Sequence, residues 1–275
     1  MKIHTTIAGL RAALAGSSAR ALVPTMGNLH AGHVTLMELA RQRSDCIIAT
    51  IFVNRLQFRP SDDFDKYPRT FEADCAKLEA AGVSHLFAPG EEEMYPQAQR
   101  YHVVPPAEQD SVLEGEFRPG HFRGVATVVL KLFHIAEPAL ALFGKKDYQQ
   151  LMVIRNMVRE LNLPIEILAG DTVRAADGLA LSSRNGYLSA AERAEAPRLH
   201  KLLAGLRESI IKGIDDFTRL EQEALSELRA NGWIANYVAV RKKLDLQLPT
   251  AHDSGLVILG AALLGSTRLI DNLEV

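Results

Sequence analysis

The sequence predicts an α/β protein, because apolar runs without polar alternation alternate with amphipathic helical stretches, short connections join them, and the pattern changes near Asp171. Ala19–Pro24 and Cys46–Val53 carry no alternating polar face, as expected of parallel strands covered on both sides. The expected architecture is a Rossmann-like parallel sheet with helices on both faces over residues 1–172, followed by a smaller α+β domain over 173–275.

Taken in order, residues 3–15 read as a strand stub and a short amphipathic helix, and Ala19–Pro24 as the first buried strand. After Gly32 the pattern turns helical, with Val34, Met37 and Ala40 on one face and Leu36 and Leu39 beside it. Cys46–Val53 begins a second unit; it continues through a polar stretch at 61–69, a helix over Phe71–Ala81 stopped by Gly82, and a strand at Val83–Phe87.

Pro89, Pro96, Pro105 and Pro106 predict an irregular crossing, with a short strand at Tyr101–Val104 and the acidic trio Glu91, Glu92 and Glu93 in a solvated turn. Helices follow at His121–Ile135 and Asp147–Leu161, strands at Ala139–Phe143 and Ile165–Leu168. Beyond a loop rich in Gly, Ser and Asn, helices are expected at Ser189–Lys212 and Asp215–Ala230, with strands at Ile234–Val240 and from Leu256 onward. This second domain is expected to serve as a lid.

The chain has 275 residues, 47 % of them hydrophobic, enough to bury the core of one large or two modest domains. A net charge of −2 without a long Lys/Arg block argues against nucleic acid and against a polybasic membrane surface, and favours small-molecule substrates. Cys46 and Cys75 form no Cys-x-x-Cys pattern, so reduced thiols in a cytoplasmic protein are expected. Arg11 interrupts the apolar segment Leu10–Ala15, so no secretory leader is read there, and no apolar run is long enough to span a membrane.

Three polar clusters, Gly27–His33, Asn54–Phe58 and Gly144–Asp147, each directly follow an expected strand and should meet on one rim of the sheet. In the first, His30-Ala31-Gly32-His33 falls where strand gives way to helix. The start of a helix favours anions through its N–H groups and dipole, and Gly27 and Gly32 permit close approach of the main chain. A lone histidine at such a place is more often a cap than a ligand; two flanking a glycine are harder to read that way.

His-x-Gly-His after a strand, with Met26-Gly27 just before it, resembles the ATP signature of the nucleotidyltransferase superfamily. Further motifs follow in order: Phe52-Val-Asn-Arg-Leu-Gln-Phe58, Tyr67-Pro-Arg-Thr70, Glu114-Gly-Glu-Phe-Arg-Pro-Gly-His-Phe-Arg-Gly-Val125, Phe143-Gly-Lys-Lys-Asp-Tyr-Gln-Gln150 and Ser182-Ser-Arg-Asn185. With Pro24-Thr-Met-Gly-Asn-Leu-His-Ala-Gly-His33 they resemble the pantoate–β-alanine ligases, or pantothenate synthetases, across nearly the whole chain.

The resemblance implies activation of pantoate by ATP to a pantoyl adenylate, with Mg²⁺ on the phosphates, and displacement of AMP by the amine of β-alanine. It makes His33 the catalytic histidine, aided by His30 and Lys146. It assigns ATP to Met26, Gly27, Asn28, Leu29, His30, Ala31, Gly32, His33, Gly144, Lys145, Lys146, Asp147, Val173, Leu181, Ser182, Ser183 and Arg184. Gln57 and Gln150 would hold pantoate, Gln57 also facing β-alanine, since an amide can both donate and accept. Arg118 and His121 would lie near the site or pack its loop, metal-contacting residues are unassigned, and a homodimer is implied.

Three positions depart from the family pattern: Arg55 replaces Pro and so removes a φ restraint from the turn that aims Gln57, Lys145 replaces an acidic or amide residue, and Leu181 replaces Met. The same histidine signature would also suit another adenylyl- or cytidylyltransferase, or a non-catalytic ATP-binding module.

Overall fold

A computed structural model describes residues 1–275 except 18, 60–63, 66, 251 and 252. Part of the polar stretch expected at 61–69 therefore lies outside the described residues. The chain divides into two compact units, Met1–Gly144 with Val153–Asp171, and Lys145–Met152 with Thr172–Val275.

The first unit holds six strands: β1 (Lys2–His4), β2 (Arg20–Thr25), β3 (Cys46–Ile51), β4 (His85–Phe87), β5 (Leu140–Gly144) and β6 (Glu166–Gly170). All are parallel, in the order β1-β4-β3-β2-β5-β6. From β2 the chain first builds outward through β3 and β4; β5 then starts on the other side of β2. The carboxyl ends of β2 and β5 thus flank the point where the winding reverses, which is where ligands of open parallel sheets bind.

The strands lack polar alternation because both faces are covered. Ala21, Val23, Ile47, Ala49 and Leu142 join Leu36, Met37 and Ala40 of helix Ala31–Arg41 and Leu78 of helix Phe71–Ala80 in one apolar cluster. On helix His121–Ala136 the stripe of Val125, Val128, Val129 and Leu132 is buried.

Tyr101–Val104 does not form the expected strand. The Val103 N–H donates to the Thr127 hydroxyl at 3.0 Å instead of a neighbouring strand, and Pro105 and Pro106 remove two ladder donors just beyond it. The three glutamates lie in a helical turn, Glu91–Met94, in which Glu91 and Glu92 are solvated as expected, Glu91 pairing with Arg55 at the surface, while the half-buried Glu93 accepts from the Ile7 N–H at 2.8 Å. The stretch expected as one helix over Ser189–Lys212 is two, Ala190–Glu195 and Arg198–Ile211, divided at Pro197.

The second unit carries strands β7 (Ile234–Lys242), β8 (Leu256–Leu264) and β9 (Thr267–Glu274) in an antiparallel sheet of that order. Gly265, at φ +57°, opens the two-residue turn between β8 and β9. Helices Arg198–Ile211 and Phe217–Ala230 bury Leu199, Leu203, Leu220 and Leu228 with Trp233, Val238 and Ile258. Lys145–Met152 belongs with this unit because β9 holds it: the side chains of Asn272 and Glu274 bond to Lys145, Lys146 and Tyr148.

Candidate active site

The histidine turn leaves β2 at Thr25. Gly27 follows at φ +84°, and a side chain there would meet Ile51 and Asp74 at 3.2 Å; Asn28 is also left-handed, at φ +50°. Asp74, only 1 % exposed, holds the turn open: its Oδ2 accepts from the Asn28 N–H and its Oδ1 from the Leu29 N–H, both at 2.8 Å. The Thr70 hydroxyl donates to Oδ2 at 3.0 Å, and Lys77 Nζ donates to the Leu29 carbonyl at 2.6 Å. Sequence reasoning gave Asp74 and Lys77 no role. Their signal was the i, i+3 spacing at the start of a helix, which places both on one face.

His30 caps helix Ala31–Arg41, so both sequence readings of the motif meet in one residue. Its Nδ1 accepts from the Gly32 N–H at 3.1 Å, while His33 Nδ1 accepts from the His30 N–H at 3.2 Å, and the two rings, tilted by 40°, have centroids 4.1 Å apart. Each Nδ1 being an acceptor, the hydrogen-bond network assigns the proton of each neutral ring to Nε2. The backbone N–H groups of Asn28, Leu29, His30 and Gly32 are thus engaged within the protein. What this turn can offer an anion is imidazole Nε2–H and the helix dipole more than an open row of amides. Ala31, by contrast with the buried Leu29, is exposed.

Gln57 ends the 3₁₀ turn Arg55–Gln57 after β3. The buried Asn54 side chain donates to Gln57 Oε1 at 3.1 Å and to the Gly124 carbonyl at 3.2 Å, and accepts from the Tyr95 hydroxyl at 2.6 Å. Burial, and then the charge of Glu91, push the Tyr95 phenol well above its ordinary range, so it stays a donor. Gln57 Nε2 lies 3.3 Å from Met26 Sδ, joining this turn to the histidine turn.

His121 and Arg118 hold the same turn from behind. His121 Nδ1 lies 3.0 Å from the Gln57 carbonyl, so it carries the proton, and its Nε2 then accepts from Arg118 at 3.1 Å. Gly124 permits the approach, because a Cβ there would lie 2.3 Å from the Leu56 carbonyl oxygen. Arg55 supplies a tether in place of the missing proline ring: its Nε bonds Glu91 at 3.1 Å and its guanidinium lies 3.9 Å from the Phe64 ring centre. A cleft of about 330 Å³ lies alongside, lined by Met26, Gly27, Phe52, Phe64, Thr70 and Glu91 among others.

Gly144 ends β5, paired with Gly170 of β6. In the second unit, Lys145–Asp147 form a 3₁₀ turn leading into helix Tyr148–Glu160. Lys145 Nζ lies 3.2 Å from Glu274, which also accepts from the Tyr148 hydroxyl at 2.9 Å. Burial raises the Glu274 carboxyl, but the bonds from Tyr148 and Lys145 outweigh it and hold the group below its usual range. Lys146 Nζ has the exposed Asp147 carboxylate at 3.8 Å. Gln149 is buried, and Gln150, one position on, is half-buried.

The Leu181 N–H donates to the Val173 carbonyl at 2.9 Å and Arg174 bridges Ala180, which brings Val173 beside Leu181 across a tight loop. Ser182 Oγ then accepts from the Arg184 N–H at 3.2 Å and caps the 3₁₀ turn Ser183–Tyr187. The expected residues are therefore gathered in two groups. Met26–His33, Gln57 and Gly144 belong to the first unit, and Lys145–Asp147, Gln150, Val173 and Leu181–Arg184 to the second.

A parallel α/β sheet with a histidine-capped turn at its winding reversal and the Gln57 turn beyond the neighbouring strand belongs to the class of open-sheet proteins that take small ligands at the carboxyl ends of their strands. The family model for pantoate–β-alanine ligase matches residues 2–274. Pantothenate synthetase from Thermus thermophilus is 44 % identical, covers 99 % of each chain and superposes with a TM-score of 0.95. Pantoate–β-alanine ligase from Francisella tularensis, complexed with β-γ ATP and β-alanine, is 33 % identical, with 99 % of this chain and 97 % of that one covered and a TM-score of 0.85. The chain belongs to the pantoate–β-alanine ligase family, and it is a ligase.

Proposed function

We propose that the chain performs its family's ligation with ATP through a pantoyl adenylate. A pantoate carboxylate oxygen attacks the α-phosphorus, the bond to the bridging oxygen breaks, and pyrophosphate leaves. The β-alanine nitrogen then attacks the acyl carbon, AMP departs with the electron pair of the carbon–oxygen bond, and the amine loses its proton. The first step gathers negative charge on phosphoryl oxygens and pyrophosphate, so aligned donors are needed more than covalent partners.

The tautomer of the histidine pair carries this reading. With both Nδ1 atoms accepting backbone N–H groups, His30 and His33 meet an anion as Nε2–H donors. His33 is the donor to the departing pyrophosphate, His30 its partner on the phosphates, and residues 26–33 form the nucleotide turn with Gly144. In the second unit, Lys146 and Arg184 supply cationic donors, Lys145, Asp147, Val173, Leu181, Ser182 and Ser183 complete the ATP contacts, and the unit acts as the lid. Gln57 and Gln150 bind pantoate, Gln57 also β-alanine. Gln57 is well fitted to this because Asn54, His121 and Met26 fix its amide and backbone.

Among the described residues no group of three or more His, Cys, Asp or Glu side chains is placed to hold a metal ion, and both oxygens of Asp74 accept backbone N–H groups. Mg²⁺ enters as part of the ATP substrate, where it neutralises phosphate charge. The enzyme is also proposed to be cytoplasmic and homodimeric. Among the described residues no helix is long and apolar enough to cross a membrane. Light scattering should give twice the 30.2 kDa of one chain; the mass of a single chain would remove the dimer.

The decisive assay supplies ATP, Mg²⁺, pantoate and β-alanine and follows pyrophosphate and AMP. Pyrophosphate release that requires pantoate but precedes β-alanine addition is the expected result. ADP in place of AMP, or pyrophosphate release indifferent to pantoate, would overturn the adenylate route; no nucleotide turnover at all would leave a non-catalytic ATP-binding module.

A further inference from the structure

Two segments assigned above to ATP, Lys145–Asp147 and Val173 with Leu181–Arg184, lie in the second unit; one dipeptide of β9 bonds the first and reaches the second through Arg174. Asn272, 5 % exposed, donates from Nδ2 to the carbonyl of Lys145 and to the carbonyl of Lys146, each at 2.9 Å. Those carbonyls belong to the two peptide planes flanking the Lys146 Cα. Fixing both planes fixes φ and ψ of Lys146, and with them the direction in which its side chain leaves the backbone.

Asp271 anchors the donor. It is also 5 % exposed, and it takes Arg174 in a two-pronged pair, Nη1 to Oδ2 at 2.6 Å and Nη2 to Oδ1 at 2.8 Å. Its Oδ1 accepts the Asn272 N–H at 2.7 Å, while Arg174 Nη2 also reaches the Asn272 carbonyl at 3.2 Å. His200 Nδ1 lies 3.4 Å from the other oxygen. Arg174 directly follows Val173 and bridges Ala180, next to Leu181. The chain of contacts thus runs from the Val173–Leu181 loop through Arg174 and Asp271 to Asn272 and the Lys146 turn.

We propose that Asn272 is a positioning residue of the ligase: it aims Lys146, and through Asp271 and Arg174 it keeps the lysine turn in register with the Val173–Leu181 loop. This rests on the assignment of Lys146 to ATP. Asn272 touches no reacting atom; its effect passes through the lysine, where a displacement of about 1 Å can cost about 100-fold in rate.

The test compares wild type, Asn272→Ala, Lys146→Ala and the double variant under steady-state conditions with each substrate varied in turn. Asn272→Ala should lower kcat/KM for ATP by about 10- to 100-fold while the KM values for pantoate and β-alanine stay within about twofold. The double variant should be no worse than Lys146→Ala alone, because the two changes strike one interaction. Losses that multiply, or equal slowing with every substrate alongside a lower thermal midpoint, would show a merely structural amide and overturn the proposal. Should Asn272→Ala fail to fold, Asn272→Asp keeps the shape without the donor and is read by the same criteria. A kinetically normal Lys146→Ala would overturn both this inference and the role given to Lys146, whereas a slowed Lys146→Ala whose loss multiplies with that of Asn272→Ala would overturn the inference alone.

Discussion

The two turns proposed to meet ATP are held by opposite chemistries. The histidine turn of the first unit is fixed by a buried carboxylate: Asp74 accepts from the backbone N–H groups of Asn28 and Leu29. The lysine turn of the second unit is fixed by a buried carboxamide: Asn272 donates to the carbonyls of Lys145 and Lys146. A turn packed on a scaffold must satisfy the backbone polar groups it turns inward, and each of these has done so on the side that its holder meets. Each turn is backed by a charged neighbour: Lys77 donates to the Leu29 carbonyl of the first turn, and Glu274 accepts from Lys145 and Tyr148 beside the second.

The largest break in this comparison should come from Arg174→Ala. It strands the Asp271 carboxylate, 4 % exposed at its side chain, in a site built for a guanidinium, and should cost about 3–5 kcal/mol in urea unfolding of the second unit. An unchanged midpoint would mean that His200 alone satisfies the carboxylate. Next in size, His33→Ala should lower turnover by about 100- to 1,000-fold through lost transition-state stabilisation, with the fold retained by circular dichroism. Near-normal turnover would confine His33 to capping the helix.

Asp74→Asn exchanges one acceptor oxygen for a donor facing a backbone N–H, and should cost about 1–3 kcal/mol of stability, read as a lowered thermal midpoint. Its kinetic effect should fall on ATP; a rise in KM for pantoate alone would sever Asp74 from the histidine turn.

At the far end of the sheet, His4 Nε2 and His85 Nδ1 lie 3.0 Å apart, joining β1 to β4. Burial, then the charge of Lys2, lowers the His4 pKa from 6.5; burial, then the charges of His4, Lys2 and the N-terminus, lowers that of His85 from the same value. The unfolded chain therefore takes up protons first as pH falls. Stability from this pair is present above about pH 6.5 and is lost as pH drops through the lower folded values. The thermal midpoint should fall between pH 7 and pH 5.5, less steeply in His85→Gln, and an identical slope in that variant would clear the pair.

The smallest effect belongs to Arg55→Ala. Its bond to Glu91 is exposed and should contribute under about 1 kcal/mol. Because Arg55 opens the turn that carries Gln57, KM for pantoate should nevertheless rise a few-fold, and Arg55→Pro should restore it by fixing φ. Failure of the proline variant to restore it would place the Arg55 effect in the cleft beside Phe64 rather than in the turn.

The sequence by itself determined the parallel sheet, the position of the histidine turn and the ligase family. Each rests on short-range pattern: unbroken apolar runs, helix starts, and motifs of a few adjacent residues. Its misses were of the opposite kind. Tyr101–Val104 has strand-like residues but no strand beside it, since Thr127, distant in sequence, takes the Val103 N–H. Of the acidic trio, Glu91 and Glu92 stay in solvent as their charge suggests, but Glu93 turns to the Ile7 N–H, a partner 86 positions away. Only the tertiary structure decided that Asp74 holds the histidine turn, that Asn54 and His121 aim Gln57, and that Asn272 holds the two peptide planes around Lys146. Apart from the local Asn54–Gln57 bond, these join residues dozens of positions apart, and such a partner is set by which elements the packed core brings together, a choice that no local period or spacing encodes.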